Sequence, residues 1–227
     1  MKKFLVVFLT FAAIVSSSAQ TLEEIVKKQS QALKESQYDN IKSLKITGKI
    51  SQMGMDLTMN MYYKAPNLSK NVISFNGQEI VQVFDGEKAY MINPMTGSSD
   101  PQELPASQSE NLRNNSSFKS PLGKYLKDGK LTLEGSEDVK GKAAFKIKAV
   151  DGENTYYMFV DKATYMLTKM NIVSSGMSID TFMEWGDVNG LMLPKKTTTS
   201  ASGMEILMII DSAEINPSLE DSFFKVK

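Results

Sequence analysis

The chain has 227 residues, with 26 basic and 26 acidic side chains and neither cysteine nor histidine. A balanced charge leaves no global attraction to nucleic acid or to an anionic membrane. Without His or Cys there is no His-based triad, no Cys nucleophile and no common zinc, copper or haem site, and no G-x-S-x-G elbow or Gly-rich phosphate loop occurs. The chain therefore reads as a non-enzyme with no cofactor and no metal.

The first residues form a secretory signal. Lys2 and Lys3 make a charged start, Phe4 to Val15 an apolar stretch, and Ser17-Ser18-Ala19 a small-residue cleavage site. The apolar stretch is too short to span a bilayer. This predicts a signal peptide over 1–19, cleavage near Ala19, and a single domain over 20–227 in the periplasm. No cysteine follows the cleavage site, so the expectation is a soluble protein without a lipid anchor.

Thr21 to about Tyr38 reads as one amphipathic helix. Thr21 and Glu24 form a capping-box pattern, and Leu22, Ile25, Val26, Gln29 and Leu33 recur at helical spacing. Its apolar face needs a partner, and a sheet would supply one.

From Leu44 onward the chain alternates. Leu44, Ile46 and Ile50 mark a first strand. The second carries Met53, Met55, Leu57, Met59, Met61 and Tyr63 at every second position, a period that puts them all on one face. Asn71–Phe75, Gln78–Phe84 and Lys88–Asn93 follow, with Asp85-Gly86 as a hairpin signal. Beyond residue 130 come Leu131–Gly135, Ala143–Val150, Thr155–Val160, Tyr165–Val173, Met177–Trp185, Leu191–Thr199 and Glu205–Ala213. Asp151-Gly152, Asn189-Gly190 and Ser175-Gly176 mark turns between them. The spacing predicts a mainly β protein of about eleven strands in a meandering antiparallel sheet or barrel.

Pro94 to Gly129 breaks this pattern. It holds four prolines among Ser and Asn, with short helices expected near Glu110–Asn114 and Leu122–Lys127. Leu104, Leu112, Phe118 and Leu122 favour packing of this segment over the sheet as a lid, since a fully solvated loop gains nothing from them. The sole arginine, Arg113, also falls here.

Methionine is a poor choice for specifying a rigid core, because its thioether chain is flexible. Other strands echo the ladder: Met177, Ile179, Met183 and Trp185 on one, Met204, Ile206 and Met208 on another. Either these stripes are core beneath the helices or they line an apolar ligand cavity. At about 4.8 Å per strand the sheet is far wider than one helix of roughly 10 Å can cover. The acidic pairs Glu23-Glu24, Asp211 with Glu214 and Glu220-Asp221 fit a helix start and turns. An exported esterase or glycosidase would need Ser–Lys or paired carboxylates converging in a polar cleft, which nothing in the pattern predicts.

The segment Phe84-Asp-Gly-Glu-Lys-Ala-Tyr-Met-Ile-Asn-Pro94 resembles the periplasmic outer-membrane lipoprotein carrier family (LolA/LolB-like), with Tyr90 where the family commonly has Trp. Tyr63-Lys-Ala-Pro-Asn-Leu68, Tyr156 to Lys169, Gly190-Leu-Met-Leu-Pro194 and Ile215 to Phe224 resemble other parts of the same family. The resemblance implies an incomplete, unclosed antiparallel β-barrel with an N-terminal helix and short lid helices, and an apolar cavity for the acyl chains of lipoproteins. It also implies a monomer that takes lipidated proteins or acyl lipids from an inner-membrane transporter to an outer-membrane receptor. Some members hold the lid with an arginine near this proline; Ala65 stands here instead, and Lys70 lacks the planar fork of Arg. On this reading Met53, Met55, Leu57, Met59, Met61, Tyr63, Tyr90, Met177, Ile179, Met183, Trp185 and Met208 line the cavity. A non-transporting lipid or lipoprotein sensor of the same fold is the alternative.

Overall fold

The structure, a computed structural model, describes residues 20–114 and 119–226. The signal peptide and Phe118 lie outside the described residues. Thirteen strands form one antiparallel sheet: β1 (Ser43–Gln52), β2 (Met55–Lys64), β3 (Leu68–Phe75), β4 (Gln78–Phe84), β5 (Ala89–Asn93), β6 (Ser98–Glu103), β7 (Leu131–Val139), β8 (Lys142–Asp151), β9 (Asn154–Asp161), β10 (Leu167–Ser174), β11 (Met177–Val188), β12 (Leu191–Ala201) and β13 (Met204–Ile215). Their spatial order is β6-β5-β4-β3-β2-β1-β13-β12-β11-β10-β9-β8-β7. The first and last strands pair in the middle, and β6 and β7 are free edges. The fold is mainly β: an unclosed antiparallel sheet with few helices.

Connections alternate between the two ends of the sheet. The tight hairpins at residues 53–54, 76–77, 152–153, 175–176 and 202–203 lie at one end, which we call the mouth. The β2–β3, β4–β5, β9–β10 and β11–β12 loops lie at the other, the foot. The Met53-Gly54 turn has φ of 51° and 76°, the paired left-handed geometry of a two-residue hairpin.

Helix α1 (Leu22–Ala32) opens on the Thr21–Glu24 capping box read in the sequence. It is shorter than expected: Lys34 turns left-handed at φ 51°, and Glu35–Asn40 continue as a 3-10 turn rather than as helix. That turn brings Tyr38 down onto β12, where its hydroxyl donates to the Met192 carbonyl at 2.6 Å. The Pro94–Gly129 region contains strand β6 and two helices, α2 (Ala106–Asn114) and α3 (Pro121–Lys127). The expected strand number was low partly because β6, Ser-Ser-Asp-Pro-Gln-Glu, has no apolar alternation to reveal it.

One face of the sheet carries the core. Ile25 and Val26 of α1, with Leu122 and Tyr125 of α3, pack on Ile147, Ala149, Met158, Val160 and Leu167. Beside them Tyr38 packs on Leu44, Ile46, Leu191, Leu193, Ile210 and Ala213. The C-terminal segment lies on the opposite, outer face: Phe223 meets the Tyr62 ring edge-on at 4.9 Å, and Lys64 pairs with Asp221 at 2.6 Å.

Candidate functional site

The strand register assigns every stripe to a face. Met61 pairs across with Ile46 and Asn71, and Met59 with Gly48 and Ile73. Ile50 pairs with Met208, which pairs in turn with Thr197, and Thr197 pairs with Met183. Because directly opposed residues share a face, these side chains all point the same way as Leu44 and Ile46, toward the helices. The alternating sequence makes this outcome obligatory: a slip of one residue would expose the whole set.

The helices cover that inner face unevenly. At the foot, α1 spans the β7–β11 side, and Gln20 donates to the Tyr165 hydroxyl in the β9–β10 loop at 2.8 Å. The 3-10 turn caps β12, β13 and β1. Helix α2 lies at the foot of β4 and β5, where the Ala89 N–H donates to Ser109 Oγ at 3.0 Å and Arg113 stands over the Phe84 ring at 5.8 Å. Toward the mouth no described element covers β10 to β13 and β1 to β5. There Ile50, Leu57, Ile73, Ile80, Met91, Ile172, Ile179, Ile206 and Met208 remain only half-buried. These side chains form a mainly apolar stretch of the inner face, interrupted by Thr181, Thr197 and Thr199 and by Asn71 and Gln82. We call this uncovered stretch the hollow.

The rim of the mouth is apolar too. Met53 is 78 % exposed, Met177 60 % and Met204 50 %, and Met55, Met95, Val150 and Val173 stand exposed at the same end. Soluble proteins rarely gather exposed apolar side chains in one place without a use for them.

The expected cavity residues divide accordingly. Leu57, Ile179 and Met208 line the hollow, while Met55 and Met177 stand at its rim. Met59 is buried at 4 % exposure within the sheet surface. Met61 and Tyr63 join the packing below Tyr38. Met183 and Trp185 pack against the α1 core, and the Trp185 indole N–H donates to the Leu167 carbonyl at 2.7 Å. Met53 is a correction: it belongs to the turn, not the ladder, since the positive φ of the hairpin swings it out of the alternation. Tyr90 is another. It opposes Val83, which opposes Lys70 and Tyr62, so it points to the outer face. Of the residues expected in a lid, Leu122 is fully buried in the core, whereas Leu104 and Leu112 are half-buried. Sequence reasoning missed Ile73, Ile80 and Met91. Their strands alternate less cleanly, because Val72, Val81 and Val83 make the outer face apolar as well.

One pocket stands apart at the foot. It has a volume of about 230 Å³ and lies between the 3-10 turn and the β2–β3 loop, walled by Tyr38, Ile41, Tyr63, Pro66 and Leu68 with Lys42 at its edge. Burial pushes the Tyr63 phenol up to about 12, so it is a hydrogen-bond donor at any physiological pH. Its hydroxyl contacts Met61 Sδ at 3.5 Å, which ties the pocket to the next rung of the ladder.

With this geometry in view, the chain can be set beside known proteins. No family model matches it, and no curated protein matches it in sequence. A DUF1329 family protein from Desulfovibrio piger superposes with a TM-score of 0.61 at 12% identity, covering 88% of this chain and 97% of that one. The likeness is one of fold. Two mycobacterial structures also match, with much looser superposition. The lipoprotein LppX of Mycobacterium tuberculosis gives a TM-score of 0.34 at 12% identity, over 86% of this chain and 97% of that one. LprF of Mycobacterium bovis gives 0.32 at 9% identity, over 88% and 94%.

Proposed function

We propose that this chain is a soluble periplasmic carrier that holds acyl chains of lipoproteins in the hollow and passes them toward the outer membrane. The observation that carries the proposal is the uncovered inner face: a mainly apolar, half-buried stretch of the sheet that no described helix packs against. Such concave apolar surfaces are the usual receptacle of small apolar ligands. Each methylene transferred from water into it contributes about 0.8 kcal/mol, so several acyl chains supply ample affinity without one specific contact. Flexible methionines suit a cargo of variable chain length and branching. The foot, closed by α1, the 3-10 turn and α2, leaves the mouth as the route of entry.

The experiment is to purify the mature chain from its own envelope fraction and identify bound molecules by mass spectrometry, alongside titration with a fluorescent fatty-acyl probe. Recovery of acyl lipids or lipoproteins and saturable probe binding are the expected results. A chain that carries nothing and leaves the probe in water is no carrier.

A further inference from the structure

The three most exposed large apolar side chains among the described residues are Met53, Met177 and Met204, and each sits in the same short motif. Met53-Gly54-Met55, Ser175-Gly176-Met177 and Ser202-Gly203-Met204 form the β1–β2, β10–β11 and β12–β13 hairpins. In all three the two turn residues have positive φ, between 46° and 80°, and a methionine opens the next strand. The strand order β2-β1-β13-β12-β11-β10 makes these hairpins consecutive along the mouth. No residue from 50 to 55, 170 to 179 or 197 to 204 is charged. The first charges behind the tips are the carboxylates Asp56, Asp180 and Glu205, with Lys49, Lys169 and Lys196 lower on the partner strands.

The register sets the three tips in one row. The β1–β2 hairpin ends at the pair Gln52–Met55, and Gln52 faces Ile206. The β12–β13 hairpin runs two residues past that level, to Ala201–Met204, and Ala201 faces Ile179. The β10–β11 hairpin again runs two residues further, to Ser174–Met177. A constant step of two residues for every two strands is the slant of strands tilted by about 35°, so one plane laid across that slant touches all three tips, about 12 Å apart. The next hairpin breaks the step. Val173 pairs with Thr155, so β8–β9 ends without overreaching, and its turn carries charge at Asp151 and Glu153.

Resting on the carrier reading above, we propose that the three Gly-Met hairpins are a bilayer-docking edge. They dip Met53, Met177 and Met204 into the interface of a zwitterionic lipid surface, so that an acyl chain passes between bilayer and hollow without crossing water. A protein partner would be met by a densely packed patch with matched polar groups. Here single unbranched side chains stand about 12 Å apart on small, uncharged turns, and lipid accommodates each of them separately. The absence of charge at the tips avoids the cost of desolvating it, and the carboxylates behind them give an anionic surface no attraction. Three thioether side chains bury less hydrocarbon than one myristoyl chain, which alone anchors only marginally, so the contact is brief and the protein is released.

The test follows transfer of a fluorescent fatty-acyl probe from the loaded mature protein to phosphatidylcholine vesicles at rising vesicle concentration. Transfer by contact should quicken in proportion to the vesicles. The triple variant Met53→Ser, Met177→Ser and Met204→Ser, changed only at exposed positions, should keep its urea midpoint and its affinity for the probe in solution. Its transfer should be about tenfold slower, a modest share of the burial of three methionines. Replacing part of the phosphatidylcholine by phosphatidylglycerol should slow the wild type. A wild-type rate that ignores vesicle concentration, or a triple variant as fast as the wild type, overturns the docking edge and leaves the carrier reading standing. Faster transfer to the anionic vesicles would assign docking to Lys49, Lys169 and Lys196 and equally overturn it. Dimers of the wild type in sedimentation that the triple variant lacks would make the row a contact between copies, against the proposal. A wild type that takes up no probe at all removes both readings.

Discussion

Met59 lays its terminal methyl over Gly48 on the neighbouring strand, 3.1 Å from where a β-carbon on residue 48 would stand. The same point lies 2.2 Å from the Ile209 carbonyl oxygen, beside the β1–β13 irregularity at Thr47/Gly48. A side chain there collides with backbone on one side and with the ladder on the other. Glycine is therefore required at 48 by close approach, at the irregularity that interrupts the β1–β13 ladder. Gly48→Ala should destabilise the fold by about 1–3 kcal/mol, read as a lower urea midpoint at unchanged slope.

The inner stripe separates into buried and half-buried members, and charge placed on each should act differently. Met59, at 4 % exposure, is core: Met59→Asp buries an unpaired carboxylate and should lower stability. Met208→Asp lies in the uncovered part, where water can reach the new charge, so the protein should fold and lose acyl binding instead. Lys196→Asp on the outer face breaks the ion pair with Glu184, at a small cost in stability, and should leave acyl binding unchanged. Acyl-probe titration beside urea unfolding distinguishes the three. Equal loss of binding by Met208→Asp and Lys196→Asp would show that the probe does not enter the hollow.

How far the sequence disclosed this arrangement depends on the residue. The ladder on β2 was legible because alternation has a strict period of two and one face is polar. The β3–β5 contribution was hidden, since valines on both faces remove the contrast that identifies a face. Tyr90 was read as lining the cavity because an aromatic in a strand says nothing of its side; only the register with Val83 decides it. The end of α1 was hidden for another reason. Nothing in Leu-Lys-Glu-Ser announces a left-handed Lys34, and the docking of Tyr38 onto β12 stabilises that turn through contacts distant in sequence. The pocket at the foot depends on loops from three parts of the chain and had no local signature.

Alkali should weaken the fold through its buried phenols. The folded Tyr63 phenol ionises at about 12, against 10.0 for the free side chain, because burial disfavours phenolate. The folded state therefore holds its proton longer than the unfolded state does. Stability from this difference is complete below pH 10 and is lost as the pH rises through 12, for about 2–3 kcal/mol in all. Burial raises Tyr38 and Tyr125 as well, and they act in the same direction. Urea midpoints should stay level from pH 8 to about 10 and fall from there to 11.5, and Tyr63→Phe should fall less steeply over that upper range.

Acid should find a second weak point at the β9–β10 loop. Burial alone would raise the Asp161 carboxyl, but the Thr164 N–H and hydroxyl and the Ala163 N–H, at 2.7, 2.8 and 3.0 Å, together hold it below its ordinary value. The stability this adds is present above the unfolded carboxylate range and disappears as the pH falls through the lower folded value. Asp161→Ala, which strips the loop of all three acceptor contacts, should cost about 1–3 kcal/mol at neutral pH and flatten the acid limb of stability. The Tyr165 turn beside Gln20 should loosen with it, seen as faster amide exchange at Tyr165 and Met166.

The rim makes a prediction that concerns access rather than stability. Oxidation of a thioether by peroxide requires collision with the sulfur, so its rate should follow exposure. Met53, Met177 and Met204 stand in solvent at the mouth, whereas Met158 is fully buried and Met59 nearly so. Limited peroxide treatment followed by peptide mass spectrometry should find sulfoxide at the three rim positions first and at the two buried ones last. Conversion to sulfoxide makes these side chains polar without disturbing the packed foot. If acyl chains enter by the mouth, partial oxidation should slow probe uptake while the urea midpoint stays unchanged. Saturating the hollow with palmitate beforehand should in turn protect Met55 and Met208, which face the bound chain, more than Met53, which points out from the turn. Protection spread evenly over all methionines would instead indicate a general tightening of the fold, and would place the ligand elsewhere.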